Sequence, residues 1–363
     1  MSNEHAARLA ASHFEIAGEL AAIAPYGSGH INDTYCGVFA IGAEQRRFIL
    51  QRINRNVFKN PAALMENIQR VTGHLGAKVA DEPDGGRMVL VLIPARDHRP
   101  FHVDGEGNYW RAYRFIENAR TFDTVESTEQ AYEAARAFGQ FQQLLVDLPA
   151  PRLHDTIPGF HDTPRRLAAF EQALAADAVG RVSLAGAEIE FALARRSVAG
   201  VLLEADLPER VIHNDTKFNN VMFDDATGRG ICVVDLDTVM PGLVLYDFGD
   251  MVRTATSPAQ EDELDLTRVT MQFPMFEALV RGYLSSAGGF LTKTERQHLA
   301  VAGKVITYEQ GLRFLTDYLA GDTYYKVARE GHNLDRCRTQ FKLIESIEAQ
   351  ETEMVRLVGS IPD

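Results

Sequence analysis

The alternation of hydrophobic and polar positions predicts that the first third of the chain folds as a small sheet around one helix. Asn60 and Pro61 carry the signals of a helix start, because Asn caps helix N-termini and Pro is tolerated at the first helical position. The apolar residues after them recur at helical spacing, at Leu64, Ile68, Val71 and Leu75. Strand-like runs stand at 35–41, 47–53, 88–95 and 109–116, with a fifth strand expected before the glycines at 27–29.

After residue 117 the pattern becomes mainly helical. Ser127 and Gln130 resemble a capping box that opens a helix reaching about residue 146, and Thr292 with Glu295 forms a second such box. Further helices are expected at 164–178, 186–204 and 304–319, and a strand hairpin occupies 211–240. We therefore expect an α+β chain of two lobes, because a single core stops growing near about 250–300 residues. Residues 1–117 would form the small β-rich lobe and residues 118–363 the larger helical lobe.

Composition excludes several classes of function. The 363 residues carry 37 Lys and Arg against 50 Asp and Glu, a net charge of −13, which disfavours general binding of nucleic acids or anionic membranes. The three cysteines are scattered and form no C-x-x-C pair, as expected in a reducing compartment. The start of the chain has no signal-peptide pattern, and the longest apolar run is far too short to span a bilayer. A cytoplasmic protein of unknown oligomeric state is expected.

The strongest chemical signal lies in the hairpin. A strand ends at His213-Asn214-Asp215, and Asn220 stands five residues after Asp215. The next strand turns at 224–230 and returns to Asp235, which an antiparallel hairpin of this length places beside Asn220. Asn220 and Asp235 can hold Mg²⁺ on nucleotide phosphates, and Asp215 can accept the proton of an attacking hydroxyl. The spacing therefore indicates phosphoryl transfer.

These motifs resemble the aminoglycoside phosphotransferase/choline kinase superfamily, which has a protein-kinase-like two-lobe fold. More narrowly, the segments 213–217, 235–242 and 246–251 are similar to those of the bacterial N-acetylhexosamine 1-kinases. The resemblance extends more loosely from about residue 25 to 325. It implies that ATP and Mg²⁺ are used to phosphorylate the anomeric hydroxyl of N-acetylglucosamine or N-acetylgalactosamine.

Three further aspartates follow the hairpin. If the strand continues, Asp237 points to the same face as Asp235 and can serve as a second metal ligand. Asp247-Phe248-Gly249 spells the metal motif of protein kinases but stands too far from Asp215, so we favour Asp247 and Asp250 as structural carboxylates that bind backbone amides behind the catalytic loop. The alternative is that these two aspartates reach the sugar.

The nucleotide side of the site is expected in the first lobe. Gly27, Ser28 and Gly29 precede a strand and would cover the phosphates, since glycines let backbone N–H groups approach phosphate oxygens. His30 and Asp33 are candidates for contact with the sugar or the nucleotide. Phe115 and Ile116 stand in the expected hinge between the lobes, where adenine would bind.

The third strand departs from the kinase pattern. The position of the lysine that grips the phosphates holds Gln51 or Arg52, and Arg52 is the residue that can supply the charge. Glu66 on the following helix stands opposite the apolar stripe and is expected to be solvated. The missing lysine is the main argument for the alternative that the chain is a non-catalytic nucleotide-binding pseudokinase.

The acceptor side is expected on the helix at 304–319. Glu309, Arg313 and Asp317 form an i, i+4 ladder, which is typical of solvated salt bridges. The alternative, which the resemblance favours, is that Arg313 donates to the sugar and that Tyr324 or Tyr325 stacks nearby. Kinases for an aminoglycoside, choline or homoserine remain alternatives for the substrate. A metal-dependent hydrolase would need a second cluster of ligands that the sequence lacks.

Overall fold

The computed structural model describes residues 3–27, 29 and 31–362, and its first part is an antiparallel sheet of six strands. The strands lie in the order β1-β2-β3-β6-β4, and β5 pairs with β6. The elements of this part are α1 (Asn3–Ala11), β1 (Glu19–Pro25), β2 (Asp33–Ile41), β3 (Glu44–Arg52), α2 (Pro61–Lys78), α3 (Gly85–Met88), β4 (Leu92–Ile93), β5 (His102–Val103) and β6 (Tyr109–Arg114).

The two faces of this sheet pack against different partners. Side chains alternate along a strand, so Phe48 and Leu50 of β3 fall in a small core with α1, whereas Ile49 packs into the large core that includes α2. Gln51 continues the face of Ile49, and Arg52 continues the face of Leu50. This alternation determines which side chains at the end of β3 face the cleft between the lobes.

The second part of the chain is mainly helical. Residue 119 already pairs with the hairpin, in a three-stranded sheet of order β10-β9-β7, and β8 pairs with β11. The elements are β7 (Ala119–Arg120), α4 (Thr128–Leu145), α5 (Thr163–Ala176), α6 (Gly186–Ala194), β8 (Arg210–Ile212), β9 (Val221–Asp224), β10 (Gly230–Val233), β11 (Met240–Gly242), α7 (Val244–Ala255), α8 (Phe273–Ala287), α9 (Lys293–Gln297), α10 (Leu299–Leu319) and α11 (His332–Ser360).

The expected α+β arrangement of a sheet-containing lobe followed by a helical lobe is confirmed. The side chain of Asn60 caps α2 by accepting from the Ala63 N–H, and Ser127 does the same for α4 at Gln130. Thr292 and Glu295 form the complete capping box. The first sheet ends at Arg114 and the second begins at 119, so the boundary between 117 and 118 stays our proposal for the division of the chain.

Other boundaries differ from the expectation. The strand expected at 88–95 is reduced to Leu92–Ile93, because α3 occupies the residues before Val89 and Pro94 offers no backbone N–H. The helix expected at 186–204 ends at Ala194 and continues as a 3₁₀ turn through Gly200. Helix α1 was not anticipated. Among the described residues, the helices all fall short of the length and apolar character that a membrane crossing requires.

Candidate active site

The loop between β8 and β9 is held from behind by a buried carboxylate. Asp247, in the first turn of α7, accepts hydrogen bonds from the backbone N–H groups of His213 (2.8 Å) and Asn214 (2.6 Å). Gln142 donates to the same carboxylate at 2.7 Å. Burial raises the pKa of Asp247, while His213 and these hydrogen bonds oppose the rise. Asp247 is therefore a structural carboxylate, as expected, and does not reach the cleft.

Two side chains that belong to the loop itself also hold it in place. Asn214 adopts a left-handed backbone conformation (φ 66°), which Asn tolerates better than most residues, and its Nδ2 donates to the Thr238 carbonyl at 3.0 Å. The ring of His213 bonds the Val234 carbonyl at 2.9 Å. These contacts tie the loop to residues 234–238, which follow β10, and set the direction in which Asp215 projects.

A buried histidine fixes the same loop from the opposite side. His161 lies between the Asn214 carbonyl (3.1 Å) and the carboxylate of Glu309 in α10 (2.9 Å). Thr163 donates to the other oxygen of Glu309 at 2.7 Å. Burial lowers the pKa of His161, but the charge and hydrogen bond of Glu309 outweigh it and raise that pKa overall. The sequence reasoning missed His161, since it stands more than fifty residues from the motif.

Asp215 lies at the centre of the resulting arrangement. Its carboxylate is 2.9 Å from the ammonium of Lys217, and Nδ2 of Asn220 donates to the Asp215 carbonyl at 2.8 Å. Burial raises the pKa of Asp215, but Lys217 outweighs this effect and lowers the pKa below its ordinary value. The carboxylate is therefore ionised at neutral pH and can accept a hydrogen bond from a hydroxyl.

The hairpin brings Asp235 beside Asn220. Val221 pairs with Val233, and the Val234 N–H donates to the Asn220 carbonyl at 2.9 Å. The Asp235 side chain is open to the cleft, yet the surrounding protein displaces much of its water. This desolvation, with repulsion from Asp237 and Asp215, raises the pKa of Asp235 to about 6. A cation bound at this position would relieve the repulsion.

Asn220 and Asp235 offer the oxygen ligands that Mg²⁺ prefers. Nδ2 of Asn220 is used by the loop, which leaves its Oδ1 for a cation. No hydrogen bond of the described residues reaches the Asp235 carboxylate. In the part of the chain that the structure describes, no three His, Cys, Asp or Glu side chains are grouped so that they could hold a metal ion. Mg²⁺ typically takes only one or two protein carboxylates together with water and phosphate oxygens, so this pair fits it.

Asp237 does not share the environment of Asp235. Strand β10 ends at Val233, Asp235 adopts a left-handed conformation (φ 57°) and residues 236–238 form a 3₁₀ turn, so the two-residue alternation expected of a continuing strand does not apply. Asp237 is buried and forms an ion pair with Arg111, and Asn32 donates to its other oxygen at 2.5 Å. Both carboxylate oxygens are engaged by donors of the sheet lobe.

The third strand places Gln51 in the cleft and Arg52 outside it. Gln51 donates to Thr34 Oγ1 (3.0 Å) and accepts from Nε of Arg111 (2.9 Å). Arg52 faces the opposite side of the sheet, where its Nη2 lies 2.6 Å from the carboxylate of Asp33. The structure therefore does not bring Arg52 or Asp33 into the cleft, because residues on one strand alternate between its faces.

Of the remaining predicted nucleotide residues, Gly27 and Gly29 lie between β1 and β2, and Phe115 and Ile116 directly follow β6. Gly27 has a positive φ of 80°, and a Cβ added at Gly27 or Gly29 would meet nothing within 4 Å. Ser28 and His30 lie outside the described residues. Phe115 and Ile116 are buried at the crossing between the lobes, and the guanidinium of Arg47 lies 3.8 Å from the centre of the Phe115 ring.

The acceptor-side helix differs from a solvated ladder. Glu309 and Asp317 are both buried, which corrects the expectation of exposed salt bridges. Asp317 accepts from the backbone N–H groups of residues 323, 324 and 325, so it holds the loop that carries Tyr324 and Tyr325. The guanidinium carbon of Arg313 lies 5.4 Å from the centre of the Phe160 ring and 5.7 Å from that of Tyr325. Tyr324, by contrast, is 71% exposed.

A polar cavity opens next to the catalytic loop. It has a volume of about 290 Å³, and its lining includes Lys217, Asn219, Arg253 and Glu261. Arg253 is buried and pairs with Asp250 at 2.8 Å, so Asp250 bonds a side chain rather than the backbone amides that we expected. Lys217 joins this cavity to Asp215. An acceptor bound here would lie beside the proposed base.

Glu66 is half-exposed and pairs with His154 at 2.9 Å, as expected of a solvated residue.

Arg111 was not predicted from the sequence. Its signal was present, because Arg111 interrupts the buried positions Trp110, Ala112 and Tyr113 of β6. A charged residue within a buried strand requires a partner, and only the strand register identifies Gln51 as the residue that faces it.

Comparison with known proteins gives one family and several structures. Residues 22–281 match the model of the phosphotransferase enzyme family. The chain is similar in structure to the microcompartment-associated aminopropanol kinase (17% identity, 97% of this chain and 99% of that one, TM-score 0.58). It is also similar to an aminoglycoside phosphotransferase from Alicyclobacillus acidocaldarius (11% identity, 98% and 96%, TM-score 0.62). A third similar structure is spectinomycin phosphotransferase in complex with ADP and spectinomycin (12% identity, 99% and 98%, TM-score 0.53). At these identities the structures show the fold.

Proposed function

Because this chain belongs to the phosphotransferase enzyme family, we propose that it is an ATP- and Mg²⁺-dependent kinase for the anomeric hydroxyl of an N-acetylhexosamine. The observation that carries the catalytic part of this proposal is the convergence of Asp215, Asn220 and Asp235 on one side of the cleft. The similarity of the segments 213–217, 235–242 and 246–251 to N-acetylhexosamine 1-kinases supports the choice of substrate. We place the enzyme in the cytoplasm, with a small sugar as its partner.

Asp215 is the group that receives the proton. The acceptor oxygen attacks the γ-phosphorus of ATP, the bond from that phosphorus to the bridging oxygen breaks, and ADP leaves with the bond electrons. The hydroxyl proton passes to the Asp215 carboxylate. Lys217 keeps this carboxylate ionised before the reaction, and Asn220 fixes the backbone at Asp215. Positioning and electrostatics of this kind account for most of the catalysis in phosphoryl transfer.

Asn220 Oδ1 and the Asp235 carboxylate would hold Mg²⁺ on the phosphates. Bound there, the ion would neutralise the negative charge of the phosphate oxygens. The engagement of Asp237 by Arg111 and Asn32 favours Asp237 as a positioning group, with metal binding by Asp237 as the alternative. Gly27, Ser28 and Gly29 would cover the phosphates, and the backbone at Phe115 and Ile116 would receive the adenine.

The acceptor would occupy the space between the catalytic loop and α10. The cavity beside Lys217 leads to Asp215. Arg313, half-buried on α10, is a separate candidate donor, and the aromatic rings near it suit a sugar ring. Tyr324 is exposed on the adjoining loop and can close over a bound sugar. Asp33 would have to leave its ion pair with Arg52 to contact the acceptor, and His30, which precedes β2 in the sequence, is a proposed acceptor contact.

A second candidate is a kinase for a cationic amino alcohol or aminoglycoside. This alternative is favoured by two of the similar proteins, one of which is an aminopropanol kinase and the other an aminoglycoside phosphotransferase. The net charge of −13 would also suit a cationic substrate. The cavity beside Asp215 is lined by Lys217 and Arg253 as well as by Glu261, so its charge gives no advantage to a cationic acceptor.

The test is ADP release with Mg²⁺ and a panel of acceptors that contains N-acetylglucosamine, N-acetylgalactosamine, glucosamine, choline, aminopropanol and an aminoglycoside. We expect turnover with the N-acetylated sugars and its loss in Asp235→Ala. Asp225→Ala changes an exposed aspartate of the hairpin turn and serves as the matched control. Turnover only with the cationic acceptors would replace the proposed substrate, and no turnover with any acceptor would favour the pseudokinase.

A further inference from the structure

The sheet lobe contains a buried arginine whose guanidinium reaches an aspartate of the other lobe. Arg111 lies in β6 directly opposite Gln51 of β3, on the face that Ile49 shares with the large core. Its side chain is 1% exposed. A buried guanidinium is costly unless it is paired and hydrogen-bonded, so its position requires an explanation.

Two contacts hold the guanidinium in place. Its Nε donates to Oε1 of Gln51 at 2.9 Å, and its Nη1 pairs with Asp237. Gln51 is held in turn by the hydroxyl of Thr34, 3.0 Å from its Nε2. Among the described residues, no hydrogen bond uses Nη2 of Arg111. One edge of the guanidinium is thus fixed by protein, while donors remain for another group.

Arg111 also lies close to the residues proposed to hold the nucleotide and its metal ion. Its partner Asp237 stands two residues after Asp235, and Asp235 contributes to the electrostatic environment of Arg111. Gln51 occupies the cleft-facing position of the third strand, where an uncharged amide cannot neutralise phosphate. Arg111 therefore places a cation on β6, the strand next to β3, where Gln51 stands in place of the expected lysine.

We propose that Arg111 supplies the positive charge that binds the phosphates of the nucleotide, and that Gln51 and Asp237 hold its guanidinium in the binding orientation. This inference rests on the proposed use of ATP. A guanidinium suits the role because it presents a rigid fork of donors to phosphate oxygens. Burial lowers the pKa of Arg111, but Asp237 outweighs it and raises the pKa overall, so the charge is permanent.

The competing explanation is that Arg111 serves only as the counter-ion of buried Asp237. A double-mutant cycle separates the two roles. Wild type, Arg111→Gln, Asp237→Asn and the double variant are titrated by calorimetry with ADP and, separately, with adenosine, which has no phosphate. Arg114→Gln changes an exposed arginine of the same strand and is the matched control.

We expect Arg111→Gln to weaken ADP binding by about 10- to 100-fold, the worth of charge-assisted hydrogen bonds. Adenosine binding should stay unchanged, and Arg114→Gln should bind both molecules as wild type does. The double variant should bind ADP more weakly than Asp237→Asn by the same factor. This second comparison carries the test if Arg111→Gln alone does not fold, since in both proteins the carboxylate is absent.

Equal ADP affinity of Asp237→Asn and the double variant would overturn the inference, because Arg111 would then serve Asp237 alone. A parallel loss of ADP and adenosine binding would also overturn it, since that pattern indicates general damage to the cleft. Wild-type protein that binds adenosine but gains nothing from the phosphates of ADP would contradict the proposed function itself.

Discussion

The two sides of the cleft obtain their charged groups in different ways. On the helical side, Asp215, Asn220 and Asp235 come from one stretch of about twenty residues that a single hairpin folds together. On the sheet side, the charge comes from Arg111, which stands sixty residues after Gln51 and reaches it only through strand pairing. One side is determined by local sequence and the other by register.

The support behind the two sides also differs. The catalytic loop is bound from several directions by Asp247, His161 and its own side chains. Arg111 depends on Gln51 and Asp237, and Asp237 belongs to the other lobe. The helical side is therefore preorganised, whereas the position of the charge on the sheet side depends on how the lobes meet.

The largest effect is expected at the most firmly held residue. Asp215→Ala should lower kcat by about 10²–10⁴-fold, the usual contribution of a positioned base. The thermal stability of the variant should stay close to that of wild type, because among the described residues the Asp215 carboxylate contacts exposed Lys217 and, at 3.4 Å, Nδ2 of Asn220. Steady-state kinetics and a thermal melt check this prediction. Turnover near the wild-type rate would remove Asp215 from the mechanism.

Removal of the anchor behind the loop should damage stability as well as rate. Asp247→Ala leaves the buried N–H groups of His213 and Asn214 without an acceptor. Since each unsatisfied group costs about 1–3 kcal/mol, we expect the free energy of unfolding to fall by about 2–5 kcal/mol. Urea denaturation measures this. A variant as stable as wild type would show that the loop does not depend on its anchor.

His161→Gln should give an effect that depends on pH. Because the pKa of His161 is raised in the folded state, its protonation stabilises the fold below pH 6.5, and this contribution is lost as the pH rises through the folded-state pKa. The variant should be less stable than wild type by about 1–3 kcal/mol at pH 6, and the difference should shrink towards pH 9.

Denaturation of both proteins at three pH values between 6 and 9 checks this expectation. His154→Gln is the matched control, because His154 is half-exposed and its pair with Glu66 contributes about 0–1 kcal/mol at most. A difference between wild type and His161→Gln that grows with pH would refute the charged pair with Glu309.

The smallest effect is expected on the outer face of the sheet. Arg52→Gln should leave ADP affinity within about twofold of wild type and cost about 0–1 kcal/mol of stability, since its pair with Asp33 is partly exposed. Calorimetry with ADP measures the first quantity. A loss as large as that expected for Arg111→Gln would restore Arg52 as the phosphate-binding residue.

The residues of the site that could be predicted from the sequence are those held together by local contacts, and the residues held by distant contacts could not be predicted. The hairpin spacing placed Asp235 beside Asn220, and the distance from Asp215 identified Asp247 as a structural group. The expectation for Asp237 depended on a continuing strand, and β10 stops at Val233, so metal binding by Asp237 stays a prediction. The choice between Gln51 and Arg52 as the cleft-facing residue required knowledge of which face of β3 each one occupies. The roles of Arg111 and His161 depend on partners that are distant in the sequence.

The central claim is tested most directly by ³¹P NMR of the product formed from ATP, Mg²⁺ and N-acetylglucosamine or N-acetylgalactosamine. We expect a sugar phosphate whose phosphorus couples to the anomeric proton, formed by wild type and absent with Asp235→Ala. A phosphate on another hydroxyl would contradict the predicted position of transfer. ADP and inorganic phosphate without any sugar phosphate would contradict the assignment of the sugar as the acceptor.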